Sequence, residues 1–242
     1  MCIGGHGVRY LRSYAQNARL YIDYTGYISN LLGINVNFLN TMPDLIVSFK
    51  EFKIINKEKR KGEPNMTYYA VTLEFDKISE KKMQEMIEEV ARVTGCDQMV
   101  QQKVPPHVTV CCLEGDNDEA LLAEMEKIAT SMSKQTLRFA NIGVFNPLVI
   151  YLGPIVNEFL LDTNRIVNER LLQYAEVGNK GNYLPNRWVP HVGIALKLTP
   201  DALDEAFDIV REKFTPFEAV VERILLVKAE PYEEMQAWEL RD

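Results

Sequence analysis

The clearest pattern in the chain is a strict alternation at "TYYAVTLEFD", Thr67 to Asp76. It places Tyr69, Val71, Leu73 and Phe75 on one side and Tyr68, Ala70, Thr72 and Glu74 on the other. A period of two over this length predicts a half-buried strand. The period then changes. Met83, Met86, Ile87 and Val90 recur at helical spacing behind Ser79, the expected N-cap, and Gly95 ends the run. Leu121, Leu122, Met125 and Ile128 predict a helix from about Asp118 to Met132. "QTLRFANIGVF" and "LVIYLGPIV" read as strands, and a long helix is expected from Asn157 to about Tyr174. "GNKGNYLPNR" has loop composition. Thr199-Pro200 opens another helix with Leu203, Phe207 and Val210 on its apolar side, and "AVVERILLVKAE" and "MQAWEL" close the chain as strands.

Within this alternation one phrase occurs twice. "VPPHVTVCC" runs from Val104 to Cys112 and "VPHVGIALK" from Val189 to Lys197. Each reads as a strand, with a strand and a helix before it and a helix and a strand after it. That order predicts an α/β or α+β domain with two related lobes, and joins near Asn146-Pro147 and Pro231-Tyr232 favour antiparallel pairing. Regular alternation puts His107, Thr109 and Cys111 on one face, opposite Val108, Val110 and Cys112. It likewise puts His191, Gly193 and Ala195 on one face, opposite Val192, Ile194 and Leu196. The valine faces should pack under helices. The histidine faces, with small side chains behind each imidazole, suit a cleft floor.

Two opposed imidazoles suit phosphodiester chemistry. Histidine titrates near 6.5, so one ring can be neutral and take a proton while its partner, protonated, gives one to the departing oxygen. A hydroxyl at Thr109 can hydrogen-bond a phosphate oxygen. One Pro-His strand alone would read as structural. Two copies that use both histidines outside the N-terminal tail, where His6 lies, point to chemistry. Tyr68 could line the cleft or stack on a base, and Arg187 and Trp188, just before the second phrase, could guard its mouth. No His-Glu-x-x-His, Cys-x-x-Cys, P-loop or Rossmann spacing occurs, so neither a metal nor a cofactor is expected.

Composition changes this picture in three ways. With 47% hydrophobic and 25% charged residues and no apolar run near the roughly 18 needed to cross a bilayer, the chain reads as soluble and globular, with no membrane partner. Cys2, Cys96, Cys111 and Cys112 show no paired spacing, which with the absence of a secretory h-region predicts free thiols in the cytoplasm. Charge is uneven: residues 1–65 hold nine Lys/Arg against five Asp/Glu, and the remainder 18 against 29, so net +4 and net −11 make up the total of −7. An acidic body is a poor general binder of long polyanions, so a phosphate ligand is expected to be small or gripped by one end. The boundary falls at the charged linker "NKEKRKGEPN", which divides residues 1–65, a tyrosine-rich basic extension, from a domain spanning 66–242. Tyr10, Tyr14, Tyr21, Tyr24 and Ile28 could form one helical stripe in that extension.

The paired phrases resemble the two signatures of the two-histidine (2H) phosphoesterase superfamily, which includes the 2′-5′ RNA ligase-like proteins. Its pattern is His-x-Thr/Ser-apolar, twice, often after proline; "PHVTV" and "PHVGI" match it, and the resemblance covers about residues 66–242. It implies a bilobal α+β fold, two mainly antiparallel sheets flanked by helices around a central cleft, with a pseudo-twofold internal repeat. It implies a metal-independent phosphoesterase that acts on 2′-5′ or cyclic phosphodiesters of RNA ends or small (oligo)nucleotides. By carry-over, His107 and His191 would be acid and base, with Thr109 and the position of Gly193 at the phosphate. The departure is Gly193, where the family has Thr or Ser. Glycine supplies no hydroxyl, which leaves a second reading open: a weakly active or non-catalytic nucleotide-binding module that retains the cleft.

Overall fold

The chain divides into two units, with the boundary between Pro64 and Asn65. The computed structural model describes residues 66–242 apart from Pro147, so the tyrosine stripe and the charged linker lie outside the described residues.

In chain order the elements are β1 (Thr67–Phe75), α1 (Lys77–Thr94), α2 (Gln98–Gln102), β2 (His107–Gly115), α3 (Asp118–Ala129), β3 (Gln135–Phe145) and β4 (Val149–Pro154). There follow α4 (Glu158–Leu171), β5 (Glu176–Val177), β6 (Val192–Ala195), α5 (Pro200–Lys213), β7 (Phe217–Ala229) and β8 (Tyr232–Glu239). The class is α+β. Short α2 and β5 have no counterpart in the expected pattern, because five and two residues are too few to show a period.

Hydrogen bonds join all eight strands into one antiparallel sheet with the path β5-β2-β1-β7-β3-β4-β6, and β8 also on β7. The expected pair of sheets is therefore linked. The link is β7, whose 13 residues are long enough to serve both parts. β3 pairs with Phe217 to Val221 and β8 with Arg223 to Ala229 along one edge, while β1 takes Val221 to Lys228 on the other. The stretch β2-β1-β7-β3-β4-β6 reads in reverse as itself when β1, β2 and β3 are exchanged for β4, β6 and β7. This is a symmetry of connectivity alone.

Helices cover one face. Tyr69, Val71, Leu73 and Phe75 of β1 are at most 2% exposed and meet Met83, Met86, Ile87 and Val90 of α1 in the core. The cap of α1 is Asp76, not Ser79: its carboxylate accepts the N–H of Ile78 and of Ser79, each at 3.0 Å, and that of Val220 at 2.9 Å. One carboxylate thus ends β1, starts α1 and holds β7, which the serine hydroxyl could not do. α3 stops at Ala129, short of Met132, where the N–H groups of Ser131 and Met132 turn to the carbonyls three residues back, Ile128 and Ala129, each at 3.0 Å. The other face is thinly covered, with a small cluster of Ala70, Leu225 and Val227. Although β2 and β6 lie far apart along the strand path, they touch, so the two histidine phrases meet. Among the described residues no helix is long and apolar enough to cross a membrane.

Candidate active site

The open face holds a cavity of about 580 Å³ between β1, β2, the end of β7 and α2, lined by Thr72, His107, Thr109, Cys112, Leu196 and Tyr232 among others, but not by His191 or Gly193. That volume is ordinary for a small-molecule site.

Both imidazoles are held by the same local device. The Nδ1 of His107 lies 2.8 Å from the carbonyl oxygen of Pro105, and the Nδ1 of His191 lies 2.7 Å from that of Val189. In each case Nδ1–H donates to the carbonyl two residues upstream, with proline between. The tautomer is thereby set, and Nε2 is left as the working nitrogen. Proline fixes φ and brings no competing N–H, which is the physical reason for writing Pro-His twice. Burial pushes both imidazoles below the ordinary 6.5; the hydrogen bond from each ring opposes this, and the charge of His191 adds to the depression at His107. The charge of one ring is thus felt at the other. Around His191 stand Phe145 and Tyr151, stacked at 4.2 Å, with ring centroids 4.8 and 5.6 Å from the imidazole, and Tyr183 at 6.3 Å.

Each motif strand carries a bulge at the same place, three residues after its histidine. On β2, Thr109 faces Thr72 and Cys111 faces Val71, so Val110 is the extra residue. On β6, Gly193 faces Tyr151 and Ala195 faces Ile150, so Ile194 is the extra residue. A bulge shifts the alternation by one. The expected cleft positions Cys111 and Ala195 are consequently buried in the core, at 0% and 2% exposure, and Cys112 and Leu196 line the cavity instead. Burial pushes the Cys112 thiol up to about 12, so it stays protonated and is no nucleophile.

The bulge on β2 frees the Val110 carbonyl, and two buried amides of α4 answer it. Asn164 Nδ2 donates to Val110 O at 2.7 Å and to Tyr183 O at 2.8 Å; Asn168 Nδ2 reaches Tyr183 O at 3.1 Å. Asn168 Oδ1 accepts from the Cys111 thiol at 3.4 Å. The loop between β5 and β6 is thus tied to the first motif strand. Two further ties are Gly178 N–H to Cys112 O at 3.0 Å and Trp188 Nε1–H to Thr109 O at 2.9 Å. Tyr183 is carried on this loop; burial pushes its phenol far above the ordinary range, and the neighbouring Thr109 side chain opposes that shift. Loop composition gave no signal for it; the signal available was two asparagines, Asn164 and Asn168, on the inward face of a helix.

The remaining candidates separate. Tyr68 is 47% exposed and does not line the cavity. Arg187 is exposed and lies against Gly181. Trp188 is half-buried and acts as a strut between loop and strand. Among the described residues no group of three or more His, Cys, Asp or Glu side chains is placed to hold a metal ion.

The histidine pair sits within a longer sequence match: the profile of the 2′-5′ RNA ligase superfamily covers residues 79–233, well over half of the chain. The chain belongs to this superfamily. No curated protein matches it in sequence. Among solved structures it is similar to LigT of E. coli complexed with ATP, at 13% identity and a TM-score of 0.46, covering 74% of this chain and 100% of that one. TT0787 of Thermus thermophilus matches at 17% identity and a TM-score of 0.44, covering 73% of this chain and 97% of that one. Usb1 of Kluyveromyces marxianus matches at 13% and 0.37, covering 70% and 97%. As a member of the 2′-5′ RNA ligase superfamily, the chain has its two Pro-His phrases inside the matched region.

The amide bridge makes a direct prediction. Asn164→Leu should lower unfolding stability by about 1–3 kcal/mol, since it leaves buried carbonyls with fewer donors. Asn164→Asp, equal in shape, should cost at least as much, because a carboxylate would face the carbonyls of Val110 and Tyr183. Urea unfolding of the two variants checks this; an Asp variant as stable as wild type would remove the hydrogen-bonding role.

Proposed function

We propose that this member of the superfamily is a phosphodiesterase that cleaves 2′-5′ or cyclic phosphodiester bonds of RNA ends or small nucleotides by paired-histidine acid–base catalysis. The observation that carries the reading is the shared mounting of His107 and His191, each with Nδ1 held by the carbonyl two residues upstream and Nε2 left to work. One Nε2 takes a proton from water as its oxygen bonds to phosphorus. The other, protonated, gives its proton to the ribose oxygen as the P–O bond breaks. The Thr109 hydroxyl steadies a phosphate oxygen, and Tyr183 orients that hydroxyl. The cavity accommodates a nucleotide rather than a long polyanion, in keeping with the net −11 outside the N-terminal extension.

A turnover screen over 2′-5′, 3′-5′ and 2′,3′-cyclic substrates tests this. Product from the cyclic or 2′-5′ substrates supports it; tight nucleotide binding without product after long incubation supports the binding module instead, the reading that the missing hydroxyl at Gly193 favours.

The pH dependence follows from the site. In the free protein both imidazoles sit below 6.5, so the protonated partner becomes scarce as pH rises towards neutrality. The bell in kcat/KM should therefore peak on the acid side of neutral. A bound phosphate favours the imidazolium it faces, so the bell in kcat should lie at higher pH than that in kcat/KM. Both limbs belong to the coupled pair. A kcat/KM optimum in the alkaline range would contradict this.

A further inference from the structure

Gly193 stands where the first motif has Thr109, and its surroundings show what took the place of the hydroxyl. Its φ lies outside the left-handed region, so the backbone does not require glycine. Among the described residues, a Cβ there would meet only Leu196 Cδ2 at 3.6 Å and Met99 Cε at 3.8 Å, both ordinary contacts. Both of these side chains line the cavity. Tyr151, the cross-strand neighbour of Gly193, turns its ring the other way, over Gly143, where a Cβ would fall 2.2 Å from it. One glycine beside Tyr151 is covered by the ring, and the other is half-buried beside the apolar side chains of Leu196 and Met99.

We propose that Gly193, Met99 and Leu196 form an apolar subsite for the planar base of the nucleotide whose phosphorus lies between the histidines, and that Gly193 is its specificity-determining residue. The proposal rests on the phosphoesterase reading. A phosphate gripped on the Thr109 side presents its organic substituent to the Gly193 side. There, among the described residues, no polar side-chain atom lies within 4 Å of the glycine Cβ position, and the two apolar side chains that touch that position line the cavity. A sugar face would leave hydroxyls unpaired in such a place, whereas a base offers a flat π-face that apolar walls can cover. Leu196, the residue after β6, lines the cavity in place of Ala195, so the wall follows the irregular register of this strand.

The test uses the full chain, with Gly193→Thr and Met99→Gln as separate variants. Calorimetric titrations compare a nucleoside 3′-monophosphate with inorganic phosphate, and turnover compares a 2′,3′-cyclic nucleotide with the base-free cyclic phosphate of glycerol. Each variant should weaken the nucleotide by about tenfold relative to inorganic phosphate, equivalent to about 1.4 kcal/mol, and turnover of the cyclic nucleotide should fall by a like factor relative to the base-free substrate. Tighter binding of both ligands by Gly193→Thr would mean that only a phosphate hydroxyl was missing, and overturns the subsite. Indifference of both ligands to both variants overturns it as well. Met99→Gln keeps the test decisive if the threonine variant does not fold. Should wild type turn over neither substrate and yet show the binding pattern, the catalytic reading fails and the subsite stands. Turnover of both substrates without the pattern is the reverse.

Discussion

His107→Ala and His191→Ala are each expected to lower turnover by at least about 10²–10⁴-fold, the contribution of a positioned acid or base. The double variant should be scarcely worse than either single one, because two groups that act as a unit lose most of their effect together. The folded protein should survive both changes. Each ring is half-buried, makes one backbone hydrogen bond, and pays for its place by desolvation. The sign of the pH linkage supplies a control. The folded-state pKa of each imidazole lies below the unfolded value of 6.5, so the unfolded chain binds more protons. Wild-type stability should thus fall as pH drops through 6.5 towards the folded-state values, while the alanine variants lose less over the same window. Urea unfolding above and below 6.5, alongside activity, checks both halves. Full activity in the double variant would sink the acid–base mechanism.

Arg223→Met is expected to cost about 3–5 kcal/mol of stability, the largest single effect outside the chemistry. Arg223 of β7 pairs with Glu74 of β1, whose side chain is 4% exposed. Glu74 is also the direct cross-strand neighbour of His107, so this ion pair lies beside the first Pro-His strand. Burial pushes the Glu74 carboxyl up, and the Arg223 guanidinium opposes that shift; removing the arginine leaves a desolvated carboxylate. A carboxyl whose folded-state pKa is raised binds its proton more tightly when folded. The penalty in Arg223→Met should therefore shrink as pH falls into the carboxylate range and be greatest near neutrality. Glu74→Gln combined with Arg223→Met should recover most of the loss, because no buried charge then remains. A double variant as unstable as Arg223→Met alone would assign the loss to packing of the arginine stem rather than to the carboxylate.

Much of this protein is legible as one-dimensional pattern. The alternation of Thr67 to Phe75 and the helical spacing of Met83 to Val90 arise because each element buries one face, and those faces are the ones buried in the core. The caps at Asn117, Asn157 and Thr199 follow from the need to satisfy the first N–H groups of a helix. The two Pro-His phrases and the glycine in the second are written in the chain itself. What pattern could not show depends on contacts between distant segments. The bulges at Val110 and Ile194 exchange Cys111 for Cys112 and Ala195 for Leu196 at the cavity, because register is set by the partner strand and not by the strand's own period. Asn164 and Asn168 answer a carbonyl more than 50 residues away, and that bridge places Tyr183 beside Thr109. The contact between β2 and β6 joins strands that are far apart along the strand path, so no strand's own pattern carries it. The sequence by itself determined which groups are available for chemistry, since residue type carries hydrogen-bonding capacity and ordinary pKa. Only the tertiary structure decided which of them meet and how far burial shifts their protonation, because both depend on long-range pairing and on exclusion of water.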